Sequence, residues 1–127
     1  GIIWAFDFNL TAGEITNKRV FVDLSGQSGR PDGATVDAEG YLWNAEYGGS
    51  RVVRYTPDGK YDQQVDLPVT NVTCCAFGGV DFSTLFITTA AQNLTAAELE
   101  NQPLAGGLFA CDLDIRGLPE PYFADKS

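Results

Sequence analysis

The chain has 127 residues, 44% of them hydrophobic, which is one domain's length with enough apolar material for a core and too much for a disordered chain. Seventeen acidic side chains against eight basic ones leave a net charge of -9, which repels phosphate backbones and anionic lipid and argues against nucleic acid or a membrane surface as partner. His is absent, which removes Ser-His-Asp and Cys-His catalysis, HExxH zinc sites and most other zinc chemistry.

In chain order, Ile2 to Phe8 alternates in part, Leu10 to Gly13 is a turn cluster, and Glu14 to Leu24 resumes an apolar pattern through Ile15, Val20, Phe21 and Val22. This predicts a hairpin. A Gly/Ser loop over 25–29 leads to Pro31-Asp32-Gly33, and four short strands follow over 34–37, 41–46, 51–55 and 61–67. Turns at Gly40, Gly48-Gly49 and Pro57-Asp58-Gly59 separate them, as in an antiparallel meander that Pro68 ends.

The pattern then repeats. Residues 72–77 stand where 34–37 stood and 84–88 stand where 41–45 stood, with Val36 on Phe77 and Trp43 on Phe86. That period of roughly forty residues is one four-stranded propeller blade. Residues 90–106 interrupt the second copy, and Thr95-Ala-Ala-Glu98 within them is a capping-box signature for a short helix. Residues 107–112 supply a third strand and Tyr122-Phe123 a fourth. The opening hairpin matches the outer half of a preceding blade. The expected fold is all-β, of β-propeller type, with about two and a half four-stranded antiparallel blades, and residues 1–127 as one partial domain. A ring of blades closes only with further blades or by association of copies, because an open end leaves an apolar face in water.

Cys74, Cys75 and Cys111 are odd in number and lack zinc spacing, which favours reduced thiols and a cytoplasmic setting. No apolar run reaches the ~18 residues of a membrane span, and the N-terminus lacks a signal-peptide pattern. The sequons at Asn9, Asn71 and Asn93 are three-letter matches of little weight.

Among residues that carry chemistry, Asp32 stands out. It precedes the first, innermost strand of a blade, with Pro31 restricting the backbone and Gly33 permitting close approach. The bland alternative is an acid that caps a turn. Asp58 lies in an identical triplet between two strands of one blade, where hairpin geometry explains it. Asp37 and Glu39 flank Gly40 in another turn and are read as structural. Thr73 and Cys74 occupy the second copy's counterpart of Asp32 and are expected to face the channel, as small lining residues rather than as a nucleophile. Trp4, Trp43, Phe86 and Phe109 recur at matching positions and are expected in the core between blades. Arg51 and Arg54 are expected at the surface or between blades.

The segments Arg30 to Trp43, Gly48 to Lys60, Leu67 to Val69, Cys75 to Gly79, Leu85 to Thr89 and Pro103 to Phe109 resemble, in order, the C-terminal half of the SMP-30/gluconolactonase/regucalcin-like family. The resemblance implies a six-bladed ring with one divalent metal in its central channel, and hydrolysis of sugar lactones. It makes Asp32 a metal ligand and the general base on water. The ion implied is Ca²⁺ first, with Zn²⁺, Mn²⁺ and Mg²⁺ as other candidates. Asn44 departs from the family's usual Val before Ala-Glu. The family's other metal ligands, a Glu near the start of the full chain and an Asn before the opening hairpin, have no counterpart here, nor do the substrate-binding Arg and Asn of earlier blades. One carboxylate with water binds a divalent ion weakly, so the chain alone is expected to be a poor lactonase. The rival expectations are a non-catalytic half-propeller that self-associates, and a phosphotriesterase on the same scaffold.

Overall fold

The alternating stretches form antiparallel strands in the computed structural model, which describes residues 1–122. A hairpin of β1 (Ile2–Asn9) and β2 (Glu14–Asp23) comes first. A four-stranded meander follows, in the order β3 (Arg30–Val36), β4 (Leu42–Tyr47), β5 (Arg51–Tyr55) and β6 (Tyr61–Asp66). The last sheet pairs β7 (Val72–Gly78), β8 (Thr84–Thr89) and β9 (Leu108–Asp112). The expected fourth strand does not form at Tyr122, and Phe123 lies outside the described residues. This is the all-β, propeller-type architecture that the repeat predicts. No described helix is long and apolar enough to cross a membrane.

The interruption between β8 and β9 holds the helix α1 (Ala96–Asn101). Its capping box is formed: the Glu98 amide donates to Thr95 Oγ1, and Glu98 Oε2 accepts from the Thr95 amide at 2.7 Å.

The middle sheet is buried on both faces, which is why β4 and β5 are inaccessible almost throughout despite carrying polar side chains. One face sends Trp43, Ala45 and Val52 against Cys75, Leu85 and Ile87 of the last sheet. Trp43 meets Phe77 edge-on, with ring centroids 5.8 Å apart. The other face packs Val53 and Tyr55 against Val22 and Leu24 of the hairpin. Each fully buried Val, Leu or Ile contributes about 1.5–3 kcal/mol of transfer free energy, so these layers hold the sheets together.

The outer sheets are covered on one side only. Trp4, Phe6, Phe8, Ile15 and Val20 share the uncovered face of the hairpin, and Phe86 and Leu108 share that of the last sheet. The expectation of core placement therefore holds for Trp43, which is fully buried, and for Phe109, which packs on the core from its edge. It fails for Trp4, 43% exposed, and Phe86, 38% exposed. They point away from the middle sheet, and no further sheet packs on them among the described residues. Trp4 instead carries Lys18 Nζ over its ring, 4.1 Å from the centroid.

Arg54, expected at the surface or between blades, is buried on the face that Trp43 turns to the last sheet. Its Nε donates to Asp37 Oδ2 at 2.8 Å and its Nη1 to Asp62 Oδ2 at 2.9 Å, while Nη2 reaches Glu39 and the ring of Tyr41 lies beneath the guanidinium. Asp37, fully buried, also accepts from the amides of Glu39 and Tyr41 and from Trp43 Nε1. Burial pushes its carboxyl up, but the bonds from Trp43, Tyr41, Arg54 and Glu39 together win and hold it below the ordinary range. A buried charge needs such partners, so an Arg in an outer strand is drawn inward by the acids of the adjacent turn. Arg51 is half-buried and donates from Nε to Glu46 Oε2 at 2.7 Å.

Candidate active site

Asp32 lies inside β3 rather than before it. The pairing runs Pro31 with Glu46 and then Ala34 with Asn44, so Asp32 and Gly33 stand together opposite Ala45. Two residues against one is a β-bulge, a device that re-aims a side chain. It is clamped from two sides. From β4, Asn44 Nδ2 donates to the Asp32 carbonyl at 3.1 Å, which gives the departure at Asn44 a structural role. From behind, β7 crosses so closely that a Cβ on Gly33 would sit 2.6 Å from the Cys74 Cβ and nearer still to its Sγ. Only glycine fits there, for reasons of space.

The Asp32 carboxylate is exposed and takes no hydrogen bond or ion pair from the described residues. It lines an open pocket of about 380 Å³ with Arg30, Pro31, Tyr47, Gln92 and Asn93. Two of these come from the segment that interrupts the repeat. Tyr47 donates its hydroxyl to the Gln92 carbonyl at 3.2 Å and accepts from Asn93 Nδ2 at 3.3 Å, and Asn71 Nδ2 donates to the same carbonyl at 2.9 Å. Further along, Gln102 Oε1 accepts from the Thr70 amide and hydroxyl at 2.7 and 2.6 Å. The insertion is thus pinned over the mouth of β3 and forms one wall of the pocket. Reading the sequence for acids misses Arg30, Tyr47 and Asn93; a seventeen-residue break in a regular repeat was the available signal, because long insertions in compact domains are commonly functional.

Thr73 and Cys74 do not join this pocket. Thr73 shares a hydrogen bond with Thr88 Oγ1 at 2.8 Å, and Cys74 fills the space behind Gly33. Cys75 is buried, and burial beside Cys74 pushes its thiol up to about 12, so it is no nucleophile near neutrality. All three cysteines are free. Glu46 is buried under the mouth, accepting from Tyr55 Oη at 2.9 Å as well as from Arg51. Burial, then Glu46, raises the Tyr55 phenol well above its ordinary value.

For a divalent cation, the one carboxylate that lines the pocket is Asp32, a hard oxygen ligand suited to Ca²⁺, Mg²⁺ or Mn²⁺. Asn44 Oδ1 is an amide oxygen without a partner among the described residues, but it is sealed from the pocket. No group of three His, Cys, Asp or Glu suited to a metal occurs among the described residues. Asp32 fits one position of an oxygen shell, and the described residues supply no second carboxylate to this pocket.

Residues 1–91 match the model of the SMP-30/Gluconolactonase/LRE-like region. The chain is 44% identical over 120 residues to regucalcin of Oryctolagus cuniculus, covering 93% of this chain and 40% of that protein. It is 44% identical over 99 residues to 6-deoxy-6-sulfogluconolactonase of Pseudomonas putida, covering 78% of this chain and 34% of that one. The crystal structure of the calcium-binding protein regucalcin from Agrobacterium tumefaciens superposes with a TM-score of 0.89 at 32% identity, covering 97% of this chain and 42% of that one. The chain thus spans about 40% of the length of the curated regucalcins it matches.

Proposed function

The chain belongs to the SMP-30/gluconolactonase/LRE-like family, and on that premise we propose that it contributes the general base to a metal-dependent hydrolase of sugar lactones. The observation that carries this reading is the unpartnered Asp32 carboxylate, turned into a pocket by a bulge that Asn44 and β7 hold in place. The relative from Pseudomonas putida is named for lactone hydrolysis and the Agrobacterium protein is described as calcium-binding.

In the proposed reaction Asp32 takes a proton from water as the water oxygen bonds to the lactone carbonyl carbon. The ring C–O bond then breaks, and the ring oxygen takes the proton back from Asp32 and leaves as the hydroxyl of the open acid. Asp32 would also hold a divalent ion, which supplies polarisation of the carbonyl when bound. The bulge costs nothing at the moment of reaction, because the clamps from Asn44 and β7 have already positioned the carboxylate. The remaining oxygen ligands come, in this reading, from further blades that complete a six-bladed ring, in the same polypeptide or in an associated copy. The uncovered apolar faces at Trp4, Phe6 and Phe8 and at Phe86 and Leu108 favour such closure, since a sheet face of this kind gains by burial.

The test is hydrolysis of D-glucono-1,5-lactone by the assembled propeller before and after chelation. Loss of activity on chelation and recovery with Ca²⁺, Mn²⁺, Mg²⁺ or Zn²⁺ is the expected result. Full activity in the chelated protein would refute the metal-dependent reading.

A further inference from the structure

We infer that Arg30 makes this pocket selective for lactones that carry an anionic substituent, such as a phosphate, sulfonate or second carboxylate, at the end of the sugar remote from the carbonyl. This rests on the lactonase reading above and adds the substrate class to it.

The argument starts from the charge pairing of the chain. Arg19, Arg51, Arg54, Lys60 and Arg116 each have a carboxylate partner. Among the described residues Arg30 and Lys18 have none, and Lys18 lies on the hairpin, remote in sequence from the pocket and seated over Trp4. Among the described residues Arg30 is therefore an unpaired cation that lines the same pocket as Asp32. A guanidinium offers five N–H donors in a planar fork matched to phosphate, sulfonate and carboxylate, and none of the described acceptors uses one here.

Its position is held without using those donors. Arg30 pairs with Tyr47 directly across β3 and β4, and its Cζ lies 5.8 Å from the centroid of the Tyr47 ring. Tyr47 is fixed in turn by its hydroxyl bonds to Gln92 and Asn93. Arg30 and Asp32 line one pocket of about 380 Å³, so a single sugar-sized ligand can meet both. The exocyclic end of a lactone whose carbonyl is at Asp32 falls within reach of Arg30. Such an anion meets the like charge of Asp32 and of the acidic chain, and Arg30 offsets that repulsion at one point only, so position as well as charge is selected.

Two measurements on the assembled protein decide this. The first is the ratio of kcat/KM for 6-phospho-D-glucono-1,5-lactone over D-glucono-1,5-lactone. Arg30→Ala is expected to lower the ratio about tenfold or more, chiefly through KM, with partial recovery in Arg30→Lys, which keeps the charge and loses the fork. An unchanged ratio overturns the proposal. The second is calorimetric binding of D-sorbitol 6-phosphate against D-sorbitol, without added metal and without any hydrolysis. Tighter binding of the phosphate compound that Arg30→Ala abolishes supports the proposal. Equal binding of the two, or binding that Arg30→Ala leaves in place, overturns it. Phosphate binding that depends on Arg30, in a protein that opens neither lactone, refutes the lactonase reading while the anion site stands.

Discussion

In Pro57-Asp58-Gly59 the acid is used up by its own turn: Asp58 pairs with Lys60 Nζ at 2.6 Å and accepts from the Thr56 hydroxyl, while Gly59 takes a positive φ of 78° to close the hairpin. In Pro31-Asp32-Gly33 the backbone carbonyl is bound by Asn44, the glycine makes room for β7, and the carboxylate is left with nothing but the pocket. The same three letters give a satisfied turn between β5 and β6 in one case and a free carboxylate within β3 in the other. What distinguishes them is the neighbour: a lysine two residues on for Asp58, and a different strand of the next sheet for Gly33. A triplet that satisfies itself locally has nothing left for chemistry, and one held from outside does.

The widest separation between the two sites is expected in activity. Asp32→Asn in the assembled protein should cost about 10²–10⁴-fold in kcat for a sugar lactone, the span of a lost general base, whereas Asp58→Asn should stay within about twofold. Steady-state kinetics on both variants checks this, and an Asp32→Asn enzyme as active as wild type removes the proposed base. A smaller effect, on stability, separates the glycines. Gly33→Ala should cost about 1–3 kcal/mol in denaturant unfolding through collision with Cys74, and Cys74→Gly should recover part of it, since the Cα of residue 74 stays 2.8 Å from the added methyl. Gly59→Ala should also destabilise, through its left-handed backbone and the nearby Phe21 carbonyl, but Cys74→Gly should give no recovery. Equal rescue of both would mean that the close approach of β7 is not what selects glycine at 33.

The smallest effect concerns titration. The hydrogen bond from Lys60, then that from Thr56, holds the Asp58 carboxyl below its ordinary value. A folded pKa below the unfolded one gives a contribution present above the unfolded value and lost as pH falls through the lowered one. Lys60→Met should therefore move the Asp58 midpoint upward in a carboxyl carbon NMR titration. A midpoint that stays in place would show that Lys60 is not the cause.

Much of the architecture was legible because it is local. Strand alternation, the Gly turns, the capping box at Thr95 and the roughly forty-residue repeat each rest on neighbours within one or two strands, and the sheets formed where those signals put them. The start of β3 was misplaced because Pro31-Asp32-Gly33 looks like a turn, and only pairing with β4 shows it to be a bulge. The partners of Arg54 are hidden for a related reason: alternation along β5 says nothing of the acids at 37, 39 and 62 that converge on it. Trp4 and Phe86 match buried Trp43 in the repeat, yet burial depends on the sheet outside, which differs from one copy to the next.

From residue order alone came the propeller repeat, the family resemblance and the choice of Asp32 over Asp58. Periodicity and turn chemistry carry the repeat, since both act over a few residues, and the resemblance carries the choice of Asp32. Contact between residues distant in the chain supplied the rest: Asn44 on the Asp32 carbonyl, Cys74 against Gly33, and the 92–93 segment brought over Tyr47 to wall the pocket that Arg30 and Asp32 line. Those contacts join strands and loops of different sheets, and no local pattern encodes which side chains the packing of two sheets will bring together.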